Sequence, residues 1–372
     1  MTFSVTASGK TVSADIYVND QKISGNNYTF DKVGNYRVQA RQDGYSNSNE
    51  LTIVVSEPVF RTDIHVAGYE ITGGVNHAAR YWKNGMAQTL ESRTGNAVAT
   101  DVFVYDNDVY VAGYEEDVNG DRIAGYWKNG VGNALTDGRY NAEATSIFVY
   151  NGIVYIAGFE SNGLRNVAKY WSNGSAVNLT NGAYDANAFS IFIDNGDVYV
   201  AGRESDDNRQ IAKYWKNGSQ VTLESGNGDA TAYSIFVQNS IVYAAGRIEI
   251  GENDVAVYWR NGLRTTLGNP QNISTAYSVF YADGNVYVSG EESSASGDLA
   301  KLWVNGSGQT LREGSGANSV FVIDKDVYVA GYYYNGDLYI SKYWKNGNAV
   351  SLSSGQNFAY AYSIYVTKER ER

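Results

Sequence analysis

The chain has 372 residues, of which 43% are apolar and 14% aromatic but only 19% charged, a balance that lets it bury enough surface to fold and excludes a disordered protein. Its 29 basic and 40 acidic side chains leave a net charge of −11, which argues against nucleic acid as a partner. Cysteine is absent and the two histidines are His65 and His77, so disulfides, thiolate zinc sites, Cys nucleophiles and Ser-His chemistry fall away, and no metal or cofactor is expected.

At the start, Met1-Thr2-Phe3-Ser4 carries no signal-peptide pattern, which suits a mature form, and no apolar run reaches the ~18 residues of a membrane span. Residues Phe3 to Ala7, Ala14 to Val18, Tyr36 to Ala40 and Leu51 to Val55 read as alternating strands, with Asp43-Gly44 as the turn between the last two. Asp31-Lys32-Val33-Gly34-Asn35-Tyr36 has the form of a tyrosine corner, in which a phenol hydroxyl anchors a nearby backbone group. These elements predict a small immunoglobulin-like β-sandwich over residues 1–57.

From residue 58 onward the chain repeats itself. The seven tryptophans, Trp82, Trp127, Trp171, Trp215, Trp259, Trp303 and Trp344, are spaced 45, 44, 44, 44, 44 and 41 residues apart. Each stands in a phrase such as Ala212-Lys213-Tyr214-Trp215-Lys216-Asn217-Gly218 and follows one such as Val198-Tyr199-Val200-Ala201-Gly202. One unit reads as four short strands: Ser190 to Ile193, Val198 to Arg203, Ala212 to Trp215 and Val221 to Leu223. Asn195-Gly196 and Asn217-Gly218 supply the tight turns, since both residues of such a turn need positive φ. Four antiparallel strands in about 44 residues, without helical periodicity, predict one blade of a β-propeller, and seven units predict seven blades.

The two ends of the repeat region complement each other. Asp63 to Gly68 matches a second strand, but the preceding Ser56-Glu57-Pro58-Val59 matches a first strand poorly, because Pro58 lacks a ladder donor. Ser363-Ile364-Tyr365-Val366 is a first strand with no second strand after it. The chain is therefore expected to be all-β, with a seven-bladed propeller over residues 58–372 closed by one C-terminal and three N-terminal strands, residues 363–366 pairing with 63–69.

The phrases Val-Tyr-Val-Ala-Gly-Tyr-Glu and Ala-Lys-Tyr-Trp-Lys-Asn-Gly, behind a short immunoglobulin-like module, resemble those of bacterial surface or secreted propeller-repeat proteins. The resemblance implies an extracellular or cell-surface location. The Trp-Asp pair of WD40 blades and the Ser-x-Asp-x-Gly-x-x-Trp box of sialidases are missing from this sequence, and the Gly-Gly signature of kelch blades does not recur from unit to unit.

Comparison of the units with one another exposes two positions released from the packing pattern. Before each first strand stand Thr100, Thr145, Phe189, Tyr233, Tyr277, Asn318 and Tyr362; after each Ala-Gly or Ser-Gly stand Tyr69, Tyr114, Phe159, Arg203, Arg247, Glu291 and Tyr332. Steric compensation between near-diagonal neighbours accounts for the alternation of large and small. The functional alternative is a binding sector at the funnel mouth, made of Phe189, Arg203, Tyr233, Arg247, Tyr277, Glu291 and Tyr362, where aromatic faces and a few polar groups suit a sugar or peptide. Glu70, Glu115, Glu160 and Glu204 read as solvated residues at loop starts, Asp117-Val118-Asn119-Gly120-Asp121 as a polar hairpin tip, and His65 as packing in place of a strand tyrosine. The expected function is recognition of a glycan or protein ligand by a monomer without catalysis, the alternative being a carbohydrate-active hydrolase or lyase that uses funnel carboxylates and tyrosines.

Overall fold

The computed structural model describes residues 1–370 except 5, 8, 9, 12, 44, 45, 75, 225 and 296. The expected strand Phe3 to Ala7 and the Asp43-Gly44 turn include residues outside the described set. The chain divides into two compact units, one of Met1–Arg61 together with the residues from Lys368, the other of Thr62–Thr367. The division lies at 61/62, where the sequence suggested 57/58.

In the first unit, Gln21–Lys22, Asp15–Val18, Gly34–Arg41 and Leu51–Val55 form one four-stranded antiparallel sheet in that spatial order, and Thr6–Ala7 pairs with Lys10–Thr11 in a separate short hairpin. Ile16, Val18 and Val38 are its buried core, with Phe3, Tyr28, Phe30 and Tyr36 packed against them. The Tyr36 hydroxyl donates to the Lys32 carbonyl at 2.9 Å, four residues upstream, which fixes the turn that leads into the third of these strands.

The second unit is a β-propeller repeat. Among the described residues there are eight four-stranded sheets, and seven of them contain one tryptophan each. In the fourth, Ala186–Asp194, Asp197–Ser205, Gln210–Lys216 and Ser219–Thr222 pair in sequence order; these strands are called a to d. Strand a starts four residues earlier than expected, because its ladder continues past an irregularity at Ala188/Ser190. One sheet draws strand a from the chain end: Ala359–Arg370 lies beside Phe60–Thr72, followed by Asn76–Lys83 and Met86–Thr89.

The turn sequences do more than reverse the chain. Asn217 and Gly218 take φ of 49° and 81°, which matches the strand twist. The Asn217 side chain then accepts from the Val198 backbone N–H at 2.8 Å and donates to Asp197 at 2.8 Å, tying the c–d turn to the start of strand b. The Val198 bond recurs from Asn84, Asn129, Asn173, Asn261, Asn305 and Asn346, so the repeated Asn serves both φ and hydrogen bonding.

Tryptophans close the gaps between sheets, each at most 2% exposed. Trp215 shares its core cluster with Ala157 and Ala168 of the preceding sheet. Burying an indole removes roughly 200 Å² from water, worth about 5 kcal/mol. Toward the axis, strand a supplies one ring per sheet: Phe103, Phe148, Phe192, Phe236, Phe280, Phe321 and Tyr365. Successive centroids lie 4.6–5.0 Å apart, and Tyr365 contacts both Phe321 and Phe103, so the belt returns to its start. Successive ring planes are tilted by 42–57° to one another.

Candidate functional site

The irregularity in strand a aims side chains at the axis. In six sheets the pairing skips one residue: Thr100, Thr145, Phe189, Tyr233, Tyr277 and Asn318 have no partner across the a–b ladder. Such bulges bend the strand and redirect a side chain. They also dictate the glycine of the Ala-Gly phrase. A Cβ on Gly68, Gly113, Gly158, Gly202, Gly246, Gly290 or Gly331 would come within 1.9–2.1 Å of a strand-a carbonyl oxygen. The residue after that glycine then faces a position two before the bulge, pairing Arg203 with Asn187, Arg247 with Thr231 and Glu291 with Thr275.

Above the aromatic belt a cavity of about 470 Å³ is lined by Val98, Thr100, Tyr114, Glu143, Thr145, Phe189, Tyr233, Tyr277, Asn318, Tyr332, Tyr360 and Tyr362. Phe189, Tyr233, Tyr277 and Tyr362 of the expected sector are on its wall. Arg203, Arg247 and Glu291 are not. Arg203 lies over the Phe189 ring, 5.7 Å from its centroid, and bonds Gln210; Arg247 is tied to Asp254. A hydrogen bond to Gln210 and an ion pair with Asp254, both on strand c, hold the ends of these longer side chains, while Arg203 also covers the strand-a ring of Phe189.

Small and large bulge residues satisfy the wall differently. Thr100 donates to the Ala144 carbonyl (2.8 Å), Thr145 to the Ala188 carbonyl (2.9 Å) and Asn318 to the Ala361 carbonyl (2.9 Å), each reaching the next sheet. Between them the rings take over, with centroids 5.3 Å apart for Phe189–Tyr233 and 5.8 Å for Tyr233–Tyr277. On the far side, Tyr360 packs against Tyr332 at 4.9 Å and Tyr362 at 6.0 Å. The sequence comparison singled out Tyr114 and Tyr332 as variable but left them outside the expected sector, and it missed Glu143 and Tyr360. Tyr360 occupies a position held elsewhere by Val98, Glu143, Asn187, Thr231, Thr275 and Gly316, a variation the aligned repeats display. At Gly316 a Cβ would meet the Tyr332 ring at 2.4 Å, so that glycine admits the tyrosine.

Burial raises Tyr277, Tyr332, Tyr360 and Tyr362 far above the usual phenol range, and pushes Tyr114 up to about 12 against the opposing pull of Arg122. Tyr277 donates to one Glu291 oxygen at 2.6 Å and Tyr332 to the other at 3.1 Å. Burial raises the Glu291 carboxyl, and these two bonds oppose the rise. Glu143, on the wall, is held by Arg122.

Under the wall the strand-a serines link sheet to sheet. Ser146, Ser190, Ser234, Ser278, Ser319 and Ser363 each accept a backbone N–H from the next sheet at 3.1–3.3 Å. Asp101 takes the seventh place, accepting from Ile147 N–H at 2.8 Å and from the Ser363 hydroxyl at 2.6 Å. Burial pushes its carboxyl up, against these hydrogen bonds.

Other candidates resolve as structure. Glu70, Glu115, Glu160 and Glu204 are paired with Arg80, Arg93, Lys169 and Lys213 at 2.8, 2.9, 2.5 and 2.5 Å, so the expectation of solvated glutamates is corrected: strand c and a neighbouring loop bring cations to them. Asp117 accepts the backbone N–H groups of Asn119 and Asp121 at 2.7 and 2.9 Å, a self-satisfied turn. His65 is 2% exposed, with Nδ1 2.7 Å from the Tyr81 hydroxyl and Nε2 3.2 Å from that of Thr367. A second cavity of about 240 Å³ lies over Trp127, where Gly125 and Gly132 leave strand c and d without side chains.

No protein-family model and no curated protein matches the sequence. Among solved structures, a puromycin-hydrolyzing peptidase of Mycobacterium tuberculosis matches at 12% identity and a TM-score of 0.43 over 70% of this chain, which spans 47% of the peptidase. TolB from Acinetobacter baumannii matches at 11% identity and a TM-score of 0.47 over 80% of this chain and 81% of its own.

Proposed function

We propose that the seven tryptophan-bearing sheets are the blades of one closed propeller and that the tyrosine-lined mouth of its channel recognises a ligand without catalysis. The aromatic belt that meets itself at Tyr365 and Phe103 supports the closed ring. The reading of function rests on one observation: a cavity of about 470 Å³ whose wall is largely aromatic with a few polar groups, the makeup of a small-molecule or side-chain site. Its ligand is a glycan or a peptide, because both offer faces that stack on phenols and groups that bond to Thr100, Thr145 and Asn318. By resemblance, the chain acts outside the cell or at its surface; it is read as a monomer, and its first unit as a reduced immunoglobulin-like module, for which the Tyr36 bond to Lys32 is the support.

A hydrolase or lyase is the less favoured reading. The wall carboxylate Glu143 is engaged by Arg122, and Glu291 by two phenols, which leaves neither free to take a proton from water. Glycan and peptide arrays probed with the purified chain test both readings. Binding of a defined ligand class without turnover is expected, with Tyr233→Ala and Tyr277→Ala each weakening it about tenfold or more. Unchanged affinity in both variants would remove the site from this cavity.

A further inference from the structure

Buried charges in proteins are paired, since an uncompensated one forfeits its hydration. Glu291, partly buried, departs from that rule: among the described residues no cation pairs with it, and its partners are the hydroxyls of Tyr277 and Tyr332. Both phenols line the cavity, and no cationic side chain does. A phenol that donates to a carboxylate gains electron density in its ring, which strengthens the attraction of its face for a cation. Rings spaced as Phe189, Tyr233 and Tyr277 are, on a seven-fold circle, have centroids roughly 6 Å from the axis, within reach of a cation at the centre.

We propose that the channel mouth selects a quaternary ammonium or similarly alkylated amine, held against Tyr277 and Tyr332 with Glu291 behind them as its counter-charge. This rests on the reading of the cavity as a binding site and gives its ligand a chemical class. A choline-type headgroup and a methylated lysine side chain both carry the group.

The test is calorimetric titration of the full chain with choline, with phosphocholine, with a trimethyl-lysine peptide and with 3,3-dimethylbutan-1-ol, the uncharged isostere of choline. The cations are expected to bind about tenfold or more tightly than the isostere. Glu291→Gln should reduce cation binding about tenfold and leave the isostere unchanged, and Tyr332→Phe, which keeps the ring but severs its bond to Glu291, should fall in between. Circular dichroism melts of each variant identify any loss that comes from unfolding. Phosphocholine binding above the peptide assigns a headgroup ligand, and the reverse assigns a methylated side chain. Equal binding of choline and its isostere, or an unchanged cation affinity in a folded Glu291→Gln, overturns the inference while leaving the cavity a site. Array ligands that depend on Tyr277 when no cation binds would likewise overturn it and spare the wider reading.

Discussion

His65 makes the second unit acid-sensitive in a predictable way. The equivalent positions in the other repeats are Tyr110, Tyr155, Tyr199, Tyr243, Tyr287 and Tyr328, so an imidazole stands where a phenol usually packs. Burial, with Lys83 nearby, lowers its pKa from 6.5 to about 4. The unfolded chain takes up a proton below pH 6.5 that the native state refuses until about pH 4, so native stability falls as pH drops through that window, by on the order of 3 kcal/mol. Urea midpoints at pH 7 and pH 4.5 should show His65→Tyr losing markedly less stability on acidification than the parent. Equal losses would place the acid sensitivity elsewhere. Glu291, whose partners are phenols, illustrates the opposite limit of legibility: its residue type was visible in the repeat comparison, but the bulge that sends it behind the wall was not.

Within a blade, the tryptophan on strand c is the unit of cohesion, yet the seven are not equivalent. Trp344 donates its indole N–H to the Arg312 carbonyl at 2.8 Å, whereas among the described residues the buried N–H groups of Trp215 and Trp259 have no partner. Trp→Phe removes similar apolar area at each site, but at Trp344 it also orphans a carbonyl. Thermal melts should therefore find Trp344→Phe about 1 kcal/mol more destabilising than Trp259→Phe, while either Trp→Ala costs about 3–5 kcal/mol. Identical losses in the two Phe variants would mean that the hydrogen bond carries no net stability. The strand and turn pattern of a blade was legible because alternation and Asn-Gly are local signals. Strand-a starts were placed late, since a bulge leaves no mark in a periodicity of two.

Closure is the whole-molecule question. Ala359–Arg370 carries Tyr360, Tyr362, Ser363 and Tyr365, which contribute to the cavity wall, the serine links and the aromatic belt. Deleting every residue after Gln356 removes all three contributions and uncovers the edge of Phe60–Thr72. The truncated chain is expected to lose its single cooperative thermal transition and to aggregate. A sharp transition at the parent temperature would sink the closed-ring reading. Because these contacts join distant parts of the chain, refolding of the parent should also be slow for its size.

The sequence alone determined the repeat length, the all-β character, the tight turns and the identity of the residues between blades, because each depends on side-chain period or on φ preferences that act over a few residues. It also named four members of the cavity wall, Phe189, Tyr233, Tyr277 and Tyr362, by their departure from the repeat. Only the tertiary structure decided that Arg203 and Arg247 turn to strand-c partners, that Tyr332 and Tyr360 complete the wall, and that Glu291 lies beneath two phenols. Those outcomes follow from a one-residue bulge and from contacts between successive blades, which bring together groups more than forty residues apart, such as Glu291 and Tyr332.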